Sequence, residues 1–516
     1  MGILKLSQKY RSFCETYQPN PCHRAKADIS LAPLMQLQVG EHCRGTTMKL
    51  SRLTIALLGA TTITAACPFY SWAQEPATPD AASPAEAGPT AVEFYNTGVS
   101  QFEAEEYGQA IGSFTEAIQR NPDFAEAYLY RGAAYNAIED LGDAIADINR
   151  AIELDPELGR AYLLRAEINY RLGNAQQALS DAQLALALDP TLGDARLYEG
   201  LVALEAGESQ KAIADFTAAI EQDPTELRAY LLRGFAYDQQ EDYFAAIADF
   251  SYVLEAESDN VIAYIGRGAA YYHEGELREA ETDLTRALEL NDELPYAYYN
   301  RSFIYAAQNR LNRALEDLDQ AIALQPNFPR AYLNRGLLLA RLGQDAAAIA
   351  DFNRALAQDP ELAEALTGRA NLQLSRGREA DAVKDFTQAL ALTPDNAAIY
   401  KLRGDAYLAD GNTAAALADY NQAIAIAPDY TAAYAARAEV YNAIGDTQRA
   451  FDDYSLVISL DDEGVNPDVL YKRGLVRMRL GDRAGARNDL QEAANRYLET
   501  NQPDGYRETV IYLRQL

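Results

Sequence analysis

The chain reads as an all-α protein made of one short unit repeated end to end, and three observations carry that reading. Along its 516 residues an alanine recurs every thirty-four positions without a gap, at Ala110, Ala144, Ala178, Ala212, Ala246, Ala280, Ala314, Ala348, Ala382, Ala416 and Ala450. Other columns of the same ruler hold only small or mostly large side chains. Gly98, Gly132, Ala166, Gly200, Gly234, Gly268, Ser302, Gly336, Ala370, Gly404 and Ala438 form a small one, and Phe114, Ile148, Ala182, Phe216, Phe250, Leu284, Leu318, Phe352, Phe386, Tyr420 and Tyr454 a mostly large one. Prolines then punctuate the period, at Pro122, Pro156, Pro190, Pro224, Pro326, Pro360, Pro394 and Pro428. A fixed period of this length implies stacked supersecondary units, none of which buries its apolar face alone.

Before the repeats the character of the chain is different. Residues 1–74 hold all four cysteines (Cys14, Cys22, Cys43, Cys67) and eight basic against three acidic side chains. Met48 is followed by Lys49 and Arg52, an apolar run from Leu53 to Ala66, and the small residues of Ser71-Trp72-Ala73. That order of charge, apolar run and small residues is the order of a secretory signal. The expectation is therefore a non-native extension over 1–47, a signal peptide over 48–73 and a Pro/Ala-rich linker over 74–90. A membrane anchor fits less well, because the apolar run is shorter than the roughly 20 residues that span a bilayer. Thr64-Ala65-Ala66-Cys67 supports a further alternative, a bacterial lipoprotein site with lipidation at Cys67, although such sites usually carry Leu where Thr64 stands. If the signal is not used, the protein is cytoplasmic. Cleavage after Ala73 leaves a chain without cysteine, and hence without disulfide or thiol chemistry.

Each repeat reads as helix, short turn, helix. In the second, Tyr128, Gly132 and Tyr135 keep helical spacing, Glu139 to Asp143 interrupt it, and Ala144, Ile145, Ile148, Ala151 and Ile152 resume it. Proline stops the second helix, since it lacks an N–H and pushes the preceding residue out of the α region. Glycines fall in the small column or in inter-helix turns, exemplified by Gly142, Gly173 and Gly275. No strand-type alternation appears anywhere.

With these residues in place, the pattern of aromatic, Gly, Tyr, Ala, aromatic, Ala and Pro resembles the tetratricopeptide repeat. The resemblance covers 91–464 as eleven units, and a twelfth over 467–500, with Gly474, Ala486, Leu490 and Ala493, follows a two-residue slip. It implies a right-handed superhelical solenoid of about twelve helix-turn-helix repeats, closed by a C-terminal capping helix over 503–516. Three departures bear on local curvature. Arg196 takes the aromatic position of repeat four, and Ser258 and Asp292 replace the terminal proline of repeats five and six.

The formal charge is −31, and about −36 once the basic N-terminal segment is set aside. Such a surface disfavours nucleic acid and anionic lipid headgroups and favours a basic or neutral polypeptide, although acidity also serves plain solubility. The repeats hold one histidine, His273, beside Tyr271, Tyr272 and Glu274, and one imidazole makes neither a metal cluster nor an acid–base pair. Phosphate loops and nucleophile elbows are missing, and only a few dozen residues follow the last full repeat. No enzyme activity, cofactor or metal is expected.

A column of arginines (Arg131, Arg165, Arg233, Arg267, Arg301, Arg335, Arg369, Arg403, Arg437, Arg473) stands opposite a column of aspartates (Asp147, Asp181, Asp215, Asp249, Asp283, Asp317, Asp351, Asp385, Asp419, Asp453, Asp489). Structural pairing is expected, within a unit or to the next. Repeat four, with Glu199 opposite Asp215, has a broken or rerouted pair.

The resemblance also implies a protein or peptide partner in a concave groove lined by first helices. Its positions fall on Leu163, Tyr170, Leu197, Leu201, Leu204, Leu231, Phe235, Ile265, Tyr272, Tyr299, Phe303, Leu333 and Leu337. An apolar groove of that kind suits an extended or amphipathic helical peptide; alternatively, the leucines above all are buried between neighbouring first helices. The carboxylate clamp of related domains is missing, since Lys401 is followed by Asp405 and Leu408. The resulting expectation is a non-catalytic scaffold of the cell envelope, periplasmic or secreted. The alternatives are a tethered assembly factor or holdase for outer-membrane or pilus components, and a cytoplasmic scaffold.

Overall fold

The computed structural model describes residues 89–460 and 466–516. The expected extension, signal peptide, linker up to residue 88 and Cys67 lipidation site lie outside the described residues. Among the described residues there are 25 helices and no strand.

The described residues divide into two compact units, one ending at Asp249 and one beginning at Phe250. The first unit contains four helix pairs, Ala91–Glu103 with Tyr107–Arg120, Ala125–Ala137 with Leu141–Leu154, Gly159–Arg171 with Ala175–Leu188, and Asp194–Glu205 with Ser209–Gln222, followed by Leu227–Gln239. In sequence, the division falls inside the helix Tyr243–Ala256. The second unit contains seven pairs, from Val261–His273 with Leu277–Leu290 to Pro467–Arg479 with Arg483–Glu499, and then the single helix Pro503–Leu513.

Local chemistry sets the helix ends. Thr90 caps the first helix through a capping box, its hydroxyl accepting from the Glu93 amide while the Glu93 carboxylate accepts from the Thr90 N–H. Second helices end on an extended residue just before proline, as at Asn121 (φ −134°, ψ 91°), Asp189 (φ −139°, ψ 99°) and Asp359 (φ −132°, ψ 92°). Asn291 takes the same form (φ −149°, ψ 113°) although Asp292 follows it, so the sixth repeat stops without its proline.

Each inter-helix turn passes through one left-handed residue. Gly173, Gly207, Gly275, Gly343, Gly377, Gly411, Gly445 and Gly481 supply it in eight repeats, and Glu105, Glu139, Glu241 and Asn309 in the others. Gly142, read from sequence as a turn glycine, lies instead in the first turn of Leu141–Leu154, and Glu139 (φ 64°) makes that turn. A side chain with Cβ is strained there. Glu241→Gly is therefore expected to stabilise the fifth repeat by about 1 kcal/mol, read from urea unfolding.

The alanine ladder is the seam of every pair. All eleven alanines from Ala110 to Ala450 are fully buried. Opposite them the small column makes room for the large one. A Cβ added at Gly98, Gly200 or Gly404 would fall 2.6, 2.5 and 2.6 Å from Phe114, Phe216 and Tyr420. In the third repeat both members are small, Ala166 and Ala182, and both are buried. Bulk and gap are thus matched within each pair.

The arginine and aspartate columns pair within the repeat, and the same guanidinium also reaches the preceding one. Ten arginines fork onto the aspartate of their own second helix, as Arg131 does on Asp147 (2.7 and 2.8 Å) and Arg369 on Asp385 (2.7 and 2.8 Å). The remaining nitrogen donates to the second helix of the repeat before, from Arg131 to Thr115 (3.1 Å), Arg165 to Asn149 (2.8 Å), Arg335 to Asp319 (2.6 Å) and Arg437 to Asn421 (2.6 Å). Tyrosines flank these guanidinium groups. Arg301 lies 5.6 Å from the Tyr298 ring and 5.5 Å from that of Tyr305. Each clamp therefore fixes a helix pair and its register on the neighbour.

Repeat four has no such clamp. Arg196 instead pairs with Glu199 at 3.8 Å, and Asp215 Oδ2 is buried with no hydrogen-bond partner among the described residues.

Candidate functional site

The face of each first helix turned away from its own partner is the surface left for recognition, and its chemistry differs between the two units. The column holding Leu129, Leu163, Leu197 and Leu231 in the first unit, and Tyr299 and Leu333 in the second, is buried at each of these positions, with Ile265 of the same column partly exposed. That periodicity identifies first-helix neighbours as the cover.

In the first unit Leu201, Leu204 and Phe235 are buried as well, and Tyr170 alone of the expected groove residues is partly exposed. Its hydroxyl donates to Glu205 Oε1 at 2.8 Å, and burial pushes it well above the usual phenol range. Polar side chains tie the same face together, with Asn136 donating to Glu167 Oε1 (3.0 Å) and Arg171 to Asn136 Oδ1 (2.8 Å). Leu163, Leu197, Leu201, Leu204, Leu231 and Phe235, expected as ligand contacts, are packing residues in this structure.

Two carboxyls on this face escaped the sequence reading. Burial, with Glu226 nearby, pushes Asp194 up to about 6. Burial alone pushes Asp238 up to about 7, and its Oδ1 has no hydrogen-bond partner among the described residues. The signal was present, because Asp238 interrupts a column that reads Asn136, Tyr170 and Leu204 in earlier repeats.

The second unit offers a different surface. Tyr272, Phe303, Tyr299, Phe328 and Tyr296 form a continuous line of rings, with successive centroids 6.2, 5.0, 4.8 and 5.0 Å apart. Tyr299 is buried at its centre, held by a hydrogen bond from Asn334 Nδ2 to its hydroxyl (2.9 Å), and burial pushes it up to about 12. Tyr272, Phe303 and Tyr296 remain partly exposed, as do Ile265 and Leu337. Phe328 and Tyr296 were absent from the expected set. Phe328 enters from the short segment before Pro329–Arg341, which a reading of helix columns alone passes over. Leu333 and Tyr299, by contrast, are buried supports.

Further along, the face becomes polar and internally paired. Lys401 binds Asp405 at 2.7 Å, Asp405 also accepts from the Tyr420 hydroxyl (2.9 Å), and Lys472 pairs with Glu439. Lys401 is thus already neutralised where a clamp would need its charge. His273 is exposed at the end of its helix, 5.4 Å from the Tyr272 ring. Among the described residues no group of three or more His, Cys, Asp or Glu is placed to hold a metal ion, and no helix is long and apolar enough to cross a membrane.

Family profiles described as tetratricopeptide repeat match residues 95–158, 137–192, 197–251, 231–297 and 367–431, with further profiles of that description at 302–373 and 468–497. No curated protein matches the chain. Solved structures that resemble it include the APC/C hetero-tetramer Cut9–Hcn1, at 13% identity and TM-score 0.43, covering 75% of this chain and 96% of that one. Yeast Tom70 is similar at 18% identity and TM-score 0.38, with 82% and 96% covered. YrrB, described as a TPR protein with an unusual peptide-binding site, is 23% identical with TM-score 0.32, covering 36% of this chain and 95% of its own.

Proposed function

The chain belongs to the tetratricopeptide repeat family, and from that premise we propose that it is a non-catalytic scaffold of the cell envelope that holds a polypeptide segment on the first-helix face of its second unit. Interaction with other proteins is the role that such repeats support. The observation that carries the finer reading is the aromatic line from Tyr272 to Tyr296. Its outer rings are partly exposed, while the buried Tyr299 and Phe328 join them at the centre. Rigid, amphipathic rings on a preformed surface bind side chains at little entropic cost, and helical or extended peptides use such surfaces.

The envelope part of the proposal rests on the order Lys49, Arg52, Leu53–Ala66 and Ser71-Trp72-Ala73 in the sequence. A mature protein beginning at Gln74 supports free export, and a lipidated Cys67 supports the tethered assembly factor. A chain still beginning at Met1 or Met48 refutes both. The non-catalytic part is refuted by reproducible substrate turnover by the purified protein.

The binding face has its own test. Tyr272→Ser and Phe303→Ser, made singly, are expected to weaken partner binding at least tenfold, about 1.4–3 kcal/mol for each aromatic anchor. Leu456→Ser, on an exposed second-helix position, is expected to leave it unchanged. Calorimetry against a partner identified by proximity labelling measures both.

A further inference from the structure

Ten repeats place a guanidinium between their two helices, and repeat four places a second carboxylate there instead. Glu199 stands in the arginine column, close enough for its charge to act on Asp215, whose Oδ2 is buried without a hydrogen-bond partner among the described residues. The tie to the preceding repeat is missing too. Gln183 occupies the acceptor column on Ala175–Leu188, where other repeats receive an arginine N–H. The flanking rings are lost as well, since Arg196 and Ala203 stand where Arg233 has Tyr230 and Tyr237. Asp194–Glu205 is also the shortest first helix at 12 residues, and its N-cap, Gly193, makes no side-chain cap.

We propose that repeat four is a proton-sensitive joint in the first unit, whose helix pair loosens when Glu199 and Asp215 are both charged and tightens when the pair takes up one proton. With a proton on Asp215, its O–H donates to a carboxylate or to water, and the repulsion between the two groups disappears. No covalent step is involved. The proton comes from solvent.

The charged groups around the pair are few. On Asp194–Glu205 they are Arg196 and Glu199, and on Ser209–Gln222 Lys211 joins Asp215. Arg196 is drawn to Glu199 at 3.8 Å, and Lys211 to Glu208 at 3.7 Å. From the preceding second helix Asp181 is held by Arg165, and from the next first helix Arg233 is held by Asp249 and Thr217. None of these replaces the missing fork.

Burial, followed by the repulsion of Glu199 and against the pull of Lys211 and Arg196, pushes the Asp215 carboxyl up to about 6. A carboxyl raised above its unfolded value of about 3.9 favours the folded state in its protonated form. The joint therefore gains strength as pH falls through about 6, and the gain levels off near pH 4.

Amide hydrogen exchange of the full chain, corrected for intrinsic rates, reads the joint directly. Protection over residues 194–222 is expected to rise about tenfold between about pH 7.5 and pH 5, while that over 261–290, where Arg267 clamps Asp283, changes far less. Asp215→Asn removes the charge, and Glu199→Arg recreates the pair that the other repeats contain. Both variants are expected to show high protection at both pH values and to lose most of the pH response, leaving only the part that Asp194 contributes. A flat profile in the unaltered protein, or a full pH response surviving in Asp215→Asn, overturns the proposal.

Discussion

Arg301→Ala is expected to destabilise repeat seven by about 3–5 kcal/mol, because it strands a buried carboxylate without its cation. Arg301 donates to Asp317 from Nε (2.9 Å) and Nη2 (2.8 Å), and its Nη1 reaches Thr285 of the repeat before (3.3 Å). The two side chains are 15% and 7% exposed, so water does little to replace the lost partner. Burial pushes the Asp317 carboxyl upward even with Arg301 present. In the variant that carboxyl rises further, so the lost stability is partly recovered as pH falls and Asp317 takes a proton. The double change Arg301→Met with Asp317→Leu is expected to regain most of the loss, since apolar groups of similar volume leave nothing unpaired. Removing Arg507, exposed and 2.7 Å from Asp504, is expected to cost less than about 0.5 kcal/mol. Because a repeat array need not unfold in one step, hydrogen exchange over 295–324 is the measurement.

Phe352→Ala is the second large effect, at about 3–5 kcal/mol, and it acts through a cavity instead of a charge. Phe352 is fully buried between two first helices. A Cβ at Gly336 of its own repeat would come within 2.8 Å of the ring, and one at Gly368 of the next repeat also within 2.8 Å. The ring therefore bridges repeats eight and nine, and its loss is expected to lower protection in both Asp345–Gln358 and Ala363–Ser375. Gly336→Ala fails for the opposite reason, with an expected cost of about 1–3 kcal/mol from overpacking. Combining Gly336→Ala with Phe352→Leu restores part of it. The third repeat makes a similar trade in its native sequence, with Ala166 opposite Ala182.

These effects mark what periodicity makes legible. The helix pairs, the alanine seam, the proline stops and the matching of glycine to aromatic all follow from column membership, because each column keeps one place on one helix. Pairing of the arginine and aspartate columns was legible for the same reason. Its destination was not, because the guanidinium has enough donors to serve its own second helix and the preceding one together. Glu139 as a left-handed residue was hidden, since the backbone imposed the conformation and Gly142 nearby was the more obvious candidate.

The binding face was only half legible. Helical spacing places Leu163, Leu197 and Leu333 on the same face as Phe303 and Leu337, but their exposure depends on how closely the next first helix approaches. Phe328 joins the aromatic line from outside any helix, where a helical period carries no information. Asp238, and Glu199 in the arginine column opposite Asp215, differ from their columns in sequence, but only packing shows that Asp215 and Asp238 each keep a buried oxygen without a partner among the described residues.

In the proposed function the second unit recognises a polypeptide through Tyr272 and Phe303. Site-specific photo-cross-linking in native cells tests it most directly, with a photoreactive phenylalanine analogue placed in the full chain at Phe303 or, on an exposed second-helix position, at Leu456. The predicted result is one discrete protein adduct from position 303, lost when Tyr272→Ser is added, and none from position 456. An adduct from position 456 alone, or one from 303 indifferent to Tyr272→Ser, would rule out recognition through these two rings.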